Sequence, residues 1–142
     1  MRNYEWYKTR IDKQVNEFIK CNKNFNYNVY GGVTEQPLKQ RLKQHIEDYK
    51  LGKSNKHITK DWKYFNNRPI TQITIKKLKG NVRKYKKLIK DIENYLIKEL
   101  GYYYDDRCIN DKNDDGNFKQ TGGFGLQLNE GDIIKIYIIY RP

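Results

Sequence analysis

Apolar positions recur along this chain with two periods, and the switches between them mark its elements. Tyr4, Tyr7, Ile11, Val15 and Phe18 follow one another at spacings of three and four, which predicts an amphipathic helix over 4–20 that stops before the asparagine-rich NKNFN. Val29 and Tyr30 favour extended backbone and Gly31 and Gly32 admit close approach, so 26–33 reads as a strand. Thr34 followed by Pro37 signals a helix start, and Leu38, Leu42, Ile46 and Tyr49 give the next helix, 36–50, a single apolar stripe. Gly52 offers its stop, LGKSNK reads as a loop, and HITKDWKYF as a short helix or turn whose Trp62 and Phe65 plug the core, broken at Arg68-Pro69. The β-branched residues of ITQITIKKL predict a strand over 70–78 that Gly80 closes. Val82, Tyr85, Ile89, Ile92, Leu96 and Leu100 predict a helix over 82–100 stopped by Gly101. After a loop-rich stretch, DIIKIYIIY predicts a strand over 132–140, apolar on both faces apart from Lys135 and so well inside its sheet.

These elements define an α+β fold: a small, mostly antiparallel three-stranded sheet flanked by helices. At 142 residues the chain suits one domain, 1–142, large enough for a real core. Its 13 tyrosines supply much of that core, because a phenol can bury its ring and keep its hydroxyl hydrated or bonded.

Charge narrows the partner. Lys and Arg number 29 against 17 Asp and Glu, a net charge of +12, which predicts salt-sensitive attraction to a polyanion, with nucleic acid first. A membrane surface would call for a basic helix with a broad apolar face, and no segment has that form. The competing explanation is a lysine-rich composition with no polyanion partner. Cys21 and Cys108 stand far apart without a Cys-x-x-Cys or Cys/His cluster, so neither a disulfide framework nor a zinc site is indicated. No apolar signal core or membrane-length run occurs, which predicts an intracellular protein.

Two helices carry candidate chemistry. On the 36–50 helix His45 falls on the apolar stripe and Arg41 on its edge, so both can face what the stripe covers. On the 82–100 helix Glu93 lies about 40° from Ile89 around the axis, with the apolar residues, whereas Asp91 and Glu99 do not. A carboxylate there is costly unless paired, hydrogen-bonded or ligating a metal, and a salt bridge to a lysine is the commoner outcome. The acidic DKNDDGN stretch lacks the helix, glycine and glutamate spacing of a calcium-binding EF-hand and reads as a solvated turn.

In order, Tyr30-Gly31-Gly32, Thr34, Leu38, Arg41 and His45 resemble the signature of the GIY-YIG nuclease family, with Gly31 in place of the usual apolar middle residue. Glu93-Asn94-Tyr95-Leu96-Ile97 resembles the helix in which that family carries its metal-binding glutamate, and Asn110 stands where it often keeps an active-site asparagine. The family's first strand, with its catalytic tyrosine, normally precedes the Tyr30 position by about a dozen residues, but EFIKC offers no tyrosine there. Lys135-Ile136-Tyr137 looks like that strand moved to the C-terminus, as in a circular permutation, which would set Tyr137 beside Tyr30. An added strand with Tyr137 merely packed is the alternative.

The resemblance covers about two thirds of the chain. It implies a metal-dependent endonuclease acting on duplex or branched DNA, with Mg²⁺ or Mn²⁺ on Glu93. It further implies Arg41 against phosphoryl charge, Tyr30 or Tyr137 activating water, His45 assisting, and Thr34 and Asn110 in support. A catalytically silent DNA-binding relative and a basic structural or interaction protein are the other two readings.

Overall fold

The computed structural model describes residues 2–22, 29–50, 66–76, 82–104, 108 and 128–140. Six elements run in the order α1 (Tyr4–Cys21), β1 (Val29–Thr34), α2 (Leu38–Lys50), β2 (Asn66–Thr74), α3 (Val82–Tyr104) and β3 (Ile133–Tyr140). The strands form one antiparallel sheet in the order β1-β3-β2, so the C-terminal strand is central. That place matches its composition: Ile134, Ile136, Tyr137, Ile138 and Ile139 are all buried, as a strand covered on both faces requires.

Local signals set the helix ends. Asn3 caps α1 by accepting from the Trp6 amide at 3.0 Å, satisfying one of the first-turn donors that a helix leaves open. At the other end Asn22 donates its side-chain amide to the Phe18 carbonyl at 2.8 Å, and the helix stops there. Thr34 accepts from the Gln36 amide at 3.0 Å and turns the chain out of β1 into α2.

Predicted boundaries shift at three places, and at one of them the strand expected over 70–78 ends at Thr74. Gly101 does not stop α3, which runs on to Tyr104; the Tyr104 ring is buried against Phe18 of α1, centroids 6.0 Å apart, and that burial offsets a helical glycine's cost of roughly 1 kcal/mol. Arg68-Pro69 does not break the chain but lies inside β2, which begins at Asn66. Proline is tolerated because β2 is an edge strand and its register against β3 shifts between Pro69 and Thr71, a bulge that needs no amide donor there. Trp62, Phe65, Gly52 and Gly80 lie outside the described residues.

The two faces of the sheet are covered differently. On one, α1 and α3 enclose a core that includes Ile11, Phe18, Ile92, Leu96, Ile134 and Ile136, each with essentially no solvent exposure. On the other, Leu38, Leu42 and Ile46 of α2 close over Tyr30, Tyr137 and Ile139. The second face holds the candidate chemistry. The described residues include no helix long and apolar enough to cross a membrane, and both cysteines are free thiols, Cys21 exposed and Cys108 buried.

Candidate active site

Strand pairing brings the two ends of the sequence motif together. In the β1–β3 ladder Tyr30 is opposite Ile139, and Tyr137 is opposite Gly32 rather than Tyr30. Tyr30 and Gly32 share a face because strand side chains alternate, so the two phenol rings are diagonal neighbours over a position with no side chain. A Cβ at Gly32 would lie 2.6 Å from the Tyr137 hydroxyl oxygen and 3.1 Å from Cε1 of Tyr30. Gly32 is the floor on which the Tyr137 phenol lies. Gly31 points the opposite way, toward α3, where a Cβ would meet Leu100 Cδ1 at 3.0 Å and Leu96 Cγ at 3.2 Å. Even a Cβ at Gly31 would press on Leu96 and Leu100, because α3 approaches β1 so closely.

Arg41 is delivered from above. One turn into α2, its amide donates to the Pro37 carbonyl at 3.0 Å, and its guanidinium both hydrogen-bonds the Tyr137 hydroxyl and donates to Gln44 Oε1 at 2.8 Å. Gln44, three residues on along the same helix face, is a partner that the sequence reading passed over; the spacing of three was the available signal. Glu93, 3 % exposed, is the buried carboxylate expected from the helical geometry, and its charge acts on Tyr137. Among the described residues the buried polar side chains are Thr34, Thr71 and Glu93.

Tyr137 therefore has opposed influences on its proton. Burial raises its pKa most, the charge and hydrogen bond of Arg41 lower it, the charge of Glu93 raises it, and the balance leaves it pushed up to about 12. At neutral pH the phenol keeps its proton.

Tyr30, Arg41, Glu93 and Tyr137 are thus set on β1, α2, α3 and β3. Tyr30 and Tyr137 share a cluster, and Arg41 and Glu93 both act on the Tyr137 hydroxyl. Thr34, at the end of β1, is buried with its hydroxyl occupied by the Gln36 amide, so its role is to shape the entry to α2. His45 lies on α2 one turn past Arg41, with its side chain outside the described residues, as is the whole of Asn110. Among the described residues no three His, Cys, Asp or Glu side chains come together as a metal cage. The chain matches no protein-family model, no curated protein and no solved structure.

Proposed function

We propose that this chain is a metal-dependent endonuclease acting on DNA, a divergent and circularly permuted relative of the GIY-YIG nucleases. The observation that carries the reading is that Arg41 of α2 hydrogen-bonds the buried Tyr137 hydroxyl of β3, while the buried carboxylate of Glu93 on α3 acts on it through its charge. A further support is that β3 pairs antiparallel with β1 while residues 17–21, where the first strand would otherwise lie, belong to α1.

The residues suit a single Mg²⁺ or Mn²⁺. Glu93 offers a hard oxygen donor, and Mg²⁺ is commonly held by one or two carboxylates, several waters and substrate phosphate rather than by a protein cage. Such an ion would polarise the scissile phosphate and stabilise the leaving oxygen. Arg41 is the half-exposed member of the group while Glu93 and Tyr137 are buried, so a phosphate reaches the site on the guanidinium. There its charge opposes the negative charge that develops on the phosphoryl oxygens. Burial does most to keep the proton on the Tyr137 hydroxyl and the charge of Glu93 adds to it, while Arg41 opposes both. A cation held by Glu93 would offset that contribution, and Tyr137, once its own proton has passed to solvent, would take the proton of an attacking water as the phenolate. A general base of this kind contributes roughly 10² to 10⁴ in rate. The test is nicking of supercoiled plasmid: Arg41→Ala should lose cleavage, and a variant as active as wild type would remove Arg41 from the mechanism.

The burial of Tyr137 and Glu93 favours a second reading, a DNA-binding protein in which the same three side chains are a buried polar network tying α2, α3 and β3 together. In that case plasmid binding is retained and nicking is absent with every divalent ion.

A further inference from the structure

A cavity of about 470 Å³ opens where α1 passes the bulged edge of the sheet, between Trp6, Arg10 and Gln14 of α1 and the stretch Pro69–Gln72 of β2. This lies within the size range of small-ligand sites, roughly 300–1,000 Å³. Its composition points to one kind of ligand. Trp6 carries two guanidinium groups, Arg2 at 4.6 Å and Arg10 at 5.7 Å from its ring centroid, and Arg10 also lines the cavity. Gln14 and Gln72 bring side-chain amides that can both donate and accept hydrogen bonds. None of the described residues lining it is acidic.

We infer that this cavity receives the base of an unpaired nucleotide, with the Trp6–Arg10 stack as its platform, the two glutamine amides on its polar edge, and the positive charge of Arg10 and of neighbouring Arg2 attracting its phosphate. Aromatic and guanidinium planes take up unstacked bases in this way, and the arginines attract the backbone that a carboxylate-lined cavity would repel.

The cavity also adjoins the candidate active site. Pro69 is the register partner of Tyr137, and Gln72 that of Lys135, two residues along β3 from Tyr137 and on the same face, about 7 Å at the ordinary strand rise. Leu38, which lines the cavity, also packs on the Tyr30–Tyr137 cluster. The Lys135 ammonium is already used, donating to the carbonyls of Glu35 and Gln36 at 3.1 and 3.3 Å, so its stem walls the cavity and Arg10 supplies the available charge. The inference rests on the DNA reading above and adds a substrate class: duplex DNA with an unpaired nucleotide next to the bond to be cut.

The test is fluorescence anisotropy in EDTA, which separates binding from cleavage, on a blunt duplex, the same duplex with a short single-stranded flap, and the same flap made abasic. Wild type should prefer the base-bearing flap over the abasic one by roughly tenfold, within the range that one stacked base contributes. The exposed double change Arg10→Ala/Gln72→Ala should bring that ratio close to one, whatever it does to overall affinity. Equal affinity of wild type for the two flaps, or a preference that survives the double change, would overturn the nucleotide site while leaving the DNA reading intact. Failure to bind any of the three duplexes at low salt would overturn both.

Discussion

The Tyr137 phenol lies over Gly32, its partner in the β1–β3 register, so closely that a Cβ there would fall 2.6 Å from the hydroxyl oxygen and 2.8 Å from Cζ. The position of the hydroxyl on which Arg41 and Glu93 act thus depends on the absence of one methyl group across the strand pair.

Gly32→Ala should therefore displace the phenol. We expect cleavage to fall by roughly a hundredfold, the scale of a misplacement near 1 Å in an active site, with a stability loss of about 1–3 kcal/mol from overpacking. Gly31→Ala, which presses on Leu96 and Leu100 on the opposite face, should cost stability and leave the Tyr137 pKa unchanged. Rates and thermal melts of the two variants check this, and equal effects on cleavage would contradict it.

The proton of Tyr137 gives a readout that needs no substrate. Glu93→Gln removes a charge that raises its pKa and should move it below about 12; Arg41→Met removes a charge and a hydrogen bond that lower it and should move it higher. Carbon-detected NMR titration with ring-labelled tyrosine, with Tyr137→Phe to assign the signal, measures both shifts. Shifts of the opposite sign would mean that Arg41 and Glu93 do not act on the Tyr137 hydroxyl as their charges require.

The elements were legible because their signals are local. The stripe from Tyr7 to Phe18 and the run from Ile133 to Tyr140 each settle their own face and depth, and the burial of Glu93 follows from its angle beside Ile89 and Leu96. Register was not legible: whether Tyr137 faces Tyr30 or Gly32 depends on a two-residue slip, which keeps every side chain on its own face and leaves the composition of both strands unchanged. Tertiary burial of Tyr104 overrode Gly101, and edge position excused Pro69. The Trp6 cavity escaped notice because Trp6 lies off the apolar stripe, although Arg2, Trp6 and Arg10 at successive spacings of four already place both arginines beside the ring.

Alkaline titration should weaken the fold. Tyr137 holds its proton to about 12 when folded but to about 10 when unfolded, so between those values the folded state binds the extra proton and stability falls as pH rises. Burial and the hydrogen bond to Asp12 raise Tyr95 in the same sense. Urea midpoints measured from pH 9 upward should drop, and less steeply for Tyr137→Phe than for wild type; parallel curves would contradict a buried, high-pKa phenol.

Association with duplex DNA should weaken steeply with salt, because a chain of net charge +12 must displace counterions from each phosphate it touches. Affinity independent of salt, or absent at low salt, would leave the charge as a matter of composition alone.

The most direct measurement is the single-turnover nicking rate of supercoiled plasmid by wild type and Glu93→Gln at saturating protein, with Mg²⁺ or Mn²⁺ and with EDTA. We expect wild type to nick only with the divalent ion, and Glu93→Gln to be slower by roughly a hundredfold or more with plasmid affinity and melting temperature nearly unchanged, since the substitution removes an ionic oxygen ligand but almost no volume. Cleavage by Glu93→Gln at the wild-type rate, or a wild type that binds plasmid and never nicks it, would contradict the endonuclease assignment.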